Sequence, residues 1–287
     1  MFTHKSFAVV GGGTIGLPIV RALTSYNVSV VLLSRPGSPS KTVPSTVKVV
    51  QVDFNDVAAT AAVFKRHKID VVVATIGKAA VLVQKSLADA AKLAAVKLFV
   101  PSEFATPTDG EPEGSHNPVA GIGDKCEVAE YLKSHNIPSA RVFTGVFIES
   151  LPWLVGYSEH GKIRIVGKGE APVSYTSVHD IAGFVAHVVT TLPPSALKDR
   201  IFRLQGDRAS LNDLGAQFKT SVEHVDRITG EGGAVKTELL TLLSSGAGST
   251  AWDETNQVER TGNEAAGSAN VLWPMHRWRS IREVHNL

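Results

Sequence analysis

The sequence has a single cysteine and no long hydrophobic run. One cysteine, Cys126, excludes an internal disulfide framework and is typical of a reducing compartment. The longest apolar runs, such as Val71–Ile76, are too short to cross a bilayer. The first strand pattern begins at once, which leaves no room for a cleavable leader before it. We therefore expect a cytoplasmic protein with no membrane association.

The sequence also has no strong charge bias and none of several familiar catalytic motifs. Lys and Arg number 29 against 27 Asp and Glu, and a net charge of +2 gives no argument for a nucleic acid partner. H-E-x-x-H, paired C-x-x-C and P-loop motifs are missing, so we expect neither a metal site nor a P-loop. No tyrosine is followed by lysine four positions later. The usual Tyr/Lys pair of short-chain dehydrogenases is therefore absent.

What the sequence does contain is an alternation of strand and helix patterns. Of 287 residues, 43% are hydrophobic and 20% are charged, which is typical of a well-cored globular chain. Valine-rich segments alternate with helical segments over short joints, which predicts a parallel sheet with right-handed crossovers. The predicted strands cover 7–10, 28–33, 47–52, 71–75 and 98–100, and the predicted helices cover 15–25, 56–67, 79–95 and 122–134.

The regular alternation of strand and helix patterns ends near residue 151. We predict an α/β fold, with a Rossmann-type doubly wound parallel sheet in residues 1–155 and a smaller mixed, substrate-covering region in 156–287. Elements within 171–190 are expected to return to the first domain. Later strands are predicted at 140–143, 162–166, 173–175 and 201–204, helices at 181–189, 211–222 and 235–243, a functional loop at 101–121, a surface loop at 244–267 and a docked aromatic end at 273–278.

The glycine-rich turn after the first strand is the main functional motif. It reads G-G-G-T-I-G and matches G-x-G-x-x-G between a predicted strand and a predicted helix. Gly11 would permit the tight turn, Gly13 would let the backbone approach a pyrophosphate, and Gly16 would let the helix pack closely on the strand. The alternative is a glycine-rich turn without a ligand. The predicted dinucleotide contacts here are Gly11, Gly13, Thr14, Ile15 and Gly16, at the helix N-terminus that favours phosphate.

The end of the second strand indicates which dinucleotide is bound. NAD sites usually hold the ribose with an acidic residue about 20 positions after the turn. Here no acidic residue precedes Asp53, and the strand ends in Ser34 and Arg35, with Lys41 six residues later. A carboxylate would repel a 2′-phosphate, whereas a guanidinium and a hydroxyl would bind it. We therefore predict NADP(H); the alternative is that Arg35 and Lys41 are solvated turn charges.

Two further strand ends fall at the same predicted edge of the sheet. Asp53 and Phe54 follow the third strand, where they would flank the adenine; Asn55–Asp56 could equally cap the next helix. The fourth strand ends in Thr75, Ile76 and Gly77, and a glycine there allows close backbone approach to a cofactor.

A lysine lies on the apolar side of the helix predicted at 122–134. Lys125 falls within the apolar arc and in the first turn, whereas Lys133 falls there in the last turn, where it can reach solvent. Lys125 either extends along the surface to an edge or points into a cleft. In a cleft, a lysine with a lowered pKa could act as acid or base, or it could hold the nicotinamide ribose.

Three further motifs accompany Arg35 and Asp53–Phe54. They are V-P-S-E-F at 100–104 followed by Lys125, F-x-G-x-F at 143–147 and V-x-D-I at 178–181. With these motifs the chain resembles the NmrA-like, isoflavone-reductase-like branch of the atypical short-chain dehydrogenases. The resemblance covers residues 6–189 well and the tail weakly. The resemblance implies cofactor contacts at Ser102, Glu103, Phe104, Lys125 and Phe143, with Lys125 as the general acid/base.

The resemblance also implies two possible functions. One is an NADPH-dependent reductase of a small aromatic or apolar metabolite of the enone, quinone methide or benzylic ether type. The other is a non-catalytic NADP(H)-sensing regulator of the NmrA type. For either function, we expect the protein to be a monomer or a homodimer. The chain departs from the family pattern in two places. Its glycine turn is one residue shorter than G-x-x-G-x-x-G, and Ala105 stands where the family usually has glycine. The segments 244–267 and 273–278 resemble those of fungal members.

Overall fold

The computed structural model describes residues 3–111 and 121–287. Its contacts divide the chain into two compact units, and each is described by itself below. The first unit comprises 1–103, 124–141 and 181–201, and the second comprises 104–123, 142–180 and 202–287. The units interleave along the chain.

The elements within the described ranges are as follows. The strands are β1 (Ser6–Val10), β2 (Ser29–Ser34), β3 (Lys48–Gln51), β4 (Val71–Ala74), β5 (Leu98–Val100), β6 (Ala140–Phe143), β7 (Val146–Phe147), β8 (Ile163–Ile165), β9 (Pro172–Thr176), β10 (Arg200–Arg203), β11 (Asp207–Ser210), β12 (Val222–His224), β13 (Trp252–Asp253) and β14 (Val258–Glu259). The α-helices are α1 (Gly16–Thr24), α2 (Val57–Arg66), α3 (Gln84–Leu93), α4 (Ile122–Ser134), α5 (Leu151–Leu154), α6 (Tyr157–His160), α7 (Val178–Thr191), α8 (Pro194–Leu197), α9 (Asp213–Gln217), α10 (Gly233–Leu242) and α11 (Ile281–His285).

The first unit is built on a five-stranded sheet with strand order β3-β2-β1-β4-β5, all parallel. Strands β1, β4 and β5 are buried along their whole length, because both faces of each strand are apolar and covered. The strand order reverses between β1 and β4, where ligands bind in open α/β sheets. This topology confirms the predicted α/β, Rossmann-type parallel sheet.

The second unit has smaller sheets and its own apolar core. Strand β9 pairs with β11 on one side and β7 on the other, and β8 pairs in parallel with β12. Its core includes Ile148, Tyr175 and Leu240. The aromatic end is docked, as expected: the Trp273 ring stacks on His276 at 3.6 Å between centroids, and His276 Nε2 lies 3.0 Å from Oδ1 of the buried Asp180.

Three predicted elements differ from the structure. The helix predicted at 79–95 begins instead as a 3₁₀ helix, Lys78–Val83, because Ala80 has non-helical dihedrals. The helix predicted at 211–222 shrinks to α9, since Val222 joins β12 and packs against Gly215. The loop predicted on the surface at 244–267 is buried over 246–251, where Gly248 lies against Val173 and leaves no room for a side chain.

No helix within the described ranges is both long enough and apolar enough to pass through a bilayer.

The first unit contains a buried histidine that makes stability depend on pH. His4 is 2% exposed, and its Nε2 finds no hydrogen-bond partner among the described residues. Burial lowers the pKa of His4 from its usual 6.5; Asp70 opposes this shift and Lys97 adds to it. The unfolded chain therefore takes up a proton at higher pH than the folded chain does.

We expect the free energy of unfolding to fall as the pH drops below 6.5, by up to about 1.4 kcal/mol per pH unit until His4 is protonated in the folded state as well. Urea unfolding above and below that pH should show this loss, and His4→Phe should reduce it. His224→Gln is the control, because His224 is exposed and its ring nitrogen contacts a main-chain carbonyl oxygen, that of Gly167. Equal pH dependence in wild type and His4→Phe would contradict this assignment.

Candidate functional site

The glycine turn at the carboxyl end of β1 is shaped by two close backbone approaches. Gly11 has φ +100°, and a Cβ there would lie 2.7 Å from the carbonyl oxygen of Thr75. A Cβ on Gly16 would lie 2.1 Å from the carbonyl oxygen of Gly11. Thr75 Oγ1 donates to that same oxygen at 2.7 Å. A Cβ on Gly13, in contrast, would have no neighbouring atom within 4 Å, so the Gly13 backbone faces open space.

These distances predict that alanine at Gly16 lowers stability, whereas alanine at Gly13 weakens dinucleotide binding. Gly16→Ala should lower the free energy of unfolding by about 1–3 kcal/mol, because its methyl group overlaps the Gly11 carbonyl oxygen. Gly13→Ala should leave stability within about 0.5 kcal/mol and weaken dinucleotide binding about tenfold or more. Thermal unfolding and titration calorimetry measure the two effects. A Gly16→Ala protein as stable as wild type would contradict the close approach at this turn.

A cleft of roughly 740 Å³ opens beside this turn, entirely within the first unit. It brings together many of the residues predicted from the sequence, namely Gly11, Gly13, Ser34, Arg35, Lys41, Asp53, Phe54, Thr75, Ile76 and Gly77. Residues that the sequence reasoning missed also line it: Gly12, Ser38, Pro39, Asn55, Lys78, Ala79, Ala80 and Val83. Half of the missed residues lie in the 3₁₀ helix Lys78–Val83. The sequence feature that could have located this helix is Gly77, which directly precedes it.

The cleft carries more positive than negative side chains. Arg35 and Lys41 are both exposed, and Lys41 Cγ would lie 3.3 Å from a Cβ on Gly12, so its stem crosses the glycine turn. Lys78 adds a third cation. The carboxylate in the lining, Asp53, accepts hydrogen bonds from the Asn55 main chain at 3.0 Å and side chain at 3.1 Å. The helix cap is supplied by Asp56, which accepts from Ala59 N at 2.8 Å.

Lys125 is turned inward and bonded within the first unit. Its Nζ donates to the carbonyl oxygen of Glu103 at 2.7 Å, and the Glu103 carboxylate accepts from Arg141 Nε at 2.7 Å. Burial lowers the pKa of Lys125, Glu103 and Cys126 oppose that shift, and Arg141 and Lys78 add to it. A lysine whose pKa is lowered by burial is one of the groups that can act as a general acid or base.

The V-P-S-E-F segment is tied to the cleft through Ser102. Ser102 Oγ donates to the carbonyl oxygen of Ile76 at 2.9 Å, and Ser102 N donates to Gln84 Oε1 at 2.7 Å. Ile76 itself lines the cleft. The segment that holds Lys125 is thereby fixed to a cleft-lining strand end.

The remaining predicted cofactor contacts are not part of the cleft lining. In the first unit these are Thr14, Ile15, Gly16, Ser102, Glu103 and Lys125. Two more belong to the second unit: Phe104 borders a pocket there, and Phe143 is fully buried with the Arg203 guanidinium 5.5 Å from its ring centroid. A role for these residues in cofactor binding stays a prediction.

The second unit has an apolar pocket of its own, of roughly 210 Å³. No charged side chain is among its lining residues, which are Phe104, Ala105, Thr106, Gly145, Val146, Phe147, Ser150, Trp153, Leu154, Leu239, Leu242 and Leu243. Phe104 has φ +28°, an uncommon conformation for a bulky residue and one often found at binding sites. The sequence reasoning missed this pocket, although F-x-G-x-F at 143–147 contributes three of its residues.

Within the described ranges, no cluster of three or more His, Cys, Asp or Glu side chains could hold a metal ion.

The chain is similar to known proteins in both sequence and fold. A profile of the NmrA-like family matches residues 3–246. Oxidoreductase BOA1 of Botryotinia fuckeliana (strain B05.10) is 29% identical over 246 residues, which cover 78% of this chain and 76% of that protein. Phenylcoumaran benzylic ether reductase IRL1 of Ginkgo biloba is 27% identical over 226 residues, or 76% of this chain and 70% of that protein. The solved complex of Vitis vinifera leucoanthocyanidin reductase with NADPH superposes with a TM-score of 0.77 at 20% identity, covering 98% of each chain.

Proposed function

Because the chain belongs to the NmrA-like family, whose profile spans residues 3–246, we propose that it is an NADPH-dependent reductase of a small aromatic or apolar metabolite. The observation that carries this proposal is the cleft beside the glycine turn, where Arg35 follows the end of β2 in place of an acidic residue and Lys41 from the next loop joins it in the lining. Two of the relatives are named an oxidoreductase and a benzylic ether reductase, which supports a redox function.

The cleft residues fit NADP(H) in charge and in shape. The open backbone at Gly13 and the N-terminus of α1 would hold the pyrophosphate. Ser34, Arg35 and Lys41 would hold the 2′-phosphate, because a guanidinium and a hydroxyl supply donors to phosphate oxygens. Phe54 and the neighbouring Asp53 would flank the adenine. When bound, NADPH supplies a hydride.

Lys125 is the residue to which we assign proton transfer. Its ammonium donates to a neutral carbonyl oxygen, and burial lowers the pKa of Lys125, which favours proton release relative to a solvated lysine. In the proposed reaction a carbon of the substrate takes up the hydride, and Lys125 gives a proton to the oxygen that gains negative charge. That oxygen is the carbonyl oxygen of an enone or a quinone methide, or the oxygen released when the benzylic C–O bond of an ether breaks.

The apolar pocket of the second unit is the proposed site for the apolar group of the substrate. A cavity of about 150 Å³ is large enough to hold benzene, so roughly 210 Å³ accommodates one substituted ring. The lining provides no counter-ion for a charged group, which favours neutral substrates.

A single-turnover assay tests the proposal. The protein is mixed with NADPH and with a panel of quinones, enones and benzylic ethers, and the loss of NADPH absorbance is followed. Oxidation of NADPH by at least one neutral aromatic compound supports a reductase. Tight NADPH binding with no oxidation across the whole panel, together with a captured protein partner, would instead favour the NADP(H)-sensing regulator.

A further inference from the structure

One wall of the apolar pocket in the second unit is an indole that packing restrains only in part. Trp153, on α5, lines this pocket and is 42% exposed. A Cβ on Gly232 would lie 3.3 Å from Cζ2 of this indole, so the ring packs along the glycine backbone. Gly232 directly precedes α10, whose Leu239 and Leu242 line the same pocket. Helices α5 and α10 therefore build this wall together.

A buried lysine contacts the same indole from outside the pocket lining. The Lys236 side chain is 0% exposed, and its Nζ lies 5.2 Å from the centroid of the Trp153 ring, within the range of a cation–π interaction. The ammonium also donates to Oε1 of Glu159, whose side chain is 38% exposed. Lys236 lies on α10 but is not among the residues that line the pocket. Its direct route to the pocket is therefore the Trp153 ring.

Stability alone does not account for a lysine at position 236. Burying an ammonium costs free energy, and a methionine of similar length would fill the same space without that cost. The carboxylate of Glu159 stays partly in solvent, where an ion pair contributes little to stability. What methionine cannot supply is a positive charge over the indole.

We propose that Lys236 is a positioning residue for the apolar pocket, because its ammonium, oriented by Glu159, holds the Trp153 indole in the pocket wall. A ring that leaves this position lowers the fraction of the protein that can bind a ligand. The apparent dissociation constant then rises in proportion to the lost fraction. The inference rests on the proposed role of this pocket in binding the apolar group of the substrate.

The test measures ligand binding and ring mobility, and it needs neither NADPH nor turnover. The Trp153 indole signal is observed by ¹H–¹⁵N NMR of the full chain and is identified by its loss in Trp153→Phe. Anisole, a neutral compound with one substituted ring, is the probe, and its dissociation constant is taken from the shift of that signal. The heteronuclear Overhauser effect of Trp153 Nε1 reports the mobility of the ring. Circular dichroism checks that each variant is folded.

In Lys236→Met the dissociation constant for anisole should rise about threefold or more, because the cation that holds the ring is gone. The Overhauser effect of Trp153 Nε1 should fall, since the ring becomes more mobile. Glu159→Gln also removes the ion pair, but its amide oxygen can still accept from the Lys236 ammonium, which stays over the ring. Both readouts should therefore remain close to wild type in Glu159→Gln.

Lys85→Met is the matched control for the loss of a paired lysine. Lys85 Nζ pairs with Glu127 and lies 5.4 Å from the centroid of the Tyr131 ring, and all three residues are outside the pocket lining. This variant loses the same kind of ion pair and the same kind of ring contact. It should leave the anisole affinity and the Trp153 mobility unchanged.

Unchanged anisole affinity or unchanged Trp153 mobility in folded Lys236→Met would overturn the proposal. A Glu159→Gln protein as weakened as Lys236→Met would also overturn it, because the effect would then belong to the ion pair. A Lys236→Met protein that does not fold would make the lysine structural, with the same consequence. If anisole leaves the wild-type Trp153 signal unmoved, the assignment of the pocket fails and the proposal with it. A failure of the reductase function would appear separately, as the absence of NADPH oxidation with the Lys236 effects intact.

Discussion

Lys125→Met should slow hydride transfer by about 10²–10⁴-fold, the usual effect of removing a positioned acid or base. Methionine keeps the length and the apolar stem of the side chain but cannot donate to the Glu103 carbonyl oxygen. The affinity for NADPH should change little if Lys125 acts only in proton transfer. The measurement is the single-turnover rate with a reducible compound, alongside the NADPH dissociation constant.

Lys133→Met is the matched control, because Lys133 lies on the same helix but is exposed in its last turn. It should leave the rate unchanged. Full turnover in Lys125→Met would contradict the assigned role without disproving the activity. A large loss of NADPH affinity in Lys125→Met would instead indicate that Lys125 holds the nicotinamide ribose.

Arg35→Asp should reverse the cofactor preference. Arg35 is exposed in the cleft at the end of β2, beside the buried Ser34. The substitution removes charge-assisted hydrogen bonds to the 2′-phosphate and adds a repelling carboxylate, so NADPH binding should weaken by about 100-fold. NADH binding should be unchanged or improved, since a carboxylate there can accept from the ribose hydroxyls.

Arg66→Asp changes the net charge by the same amount but lies in the last turn of α2 and outside the cleft lining. Its dissociation constants for both cofactors should match those of wild type. Equal weakening of NADPH binding in both variants would show that the effect is long-range electrostatics and that Arg35 makes no direct contact.

The sheet of the first unit could be predicted because its signal is local. Valine-rich runs such as Val71–Ala74 are buried on both faces and do not alternate, which is the mark of a parallel strand. Glycine spacing likewise located the turn, since Gly11 and Gly16 are required by contacts within that turn and with Thr75. In both cases the residue type is set by its immediate surroundings.

The electrostatics around Lys125 could be predicted only in part. The helix pattern placed Lys125 on the apolar side, but its partner is a main-chain oxygen, which no side-chain pattern reveals. Arg141 was missed because the sequence does not distinguish a single arginine in a short strand from a solvent-exposed charge at the edge of a sheet. Its pairing with Glu103 depends on tertiary packing. The buried stretch 246–251 was missed because small and polar residues also compose surface loops.

The most direct test of the proposed cofactor site is the relative affinity of the wild-type protein for NADPH and NADH, measured by titration calorimetry at one salt concentration. The cleft with Arg35 and Lys41 and no acidic residue at the end of β2 predicts that NADPH binds at least about tenfold more tightly. Equal affinities, or tighter binding of NADH, would contradict the assignment of this cleft to NADP(H).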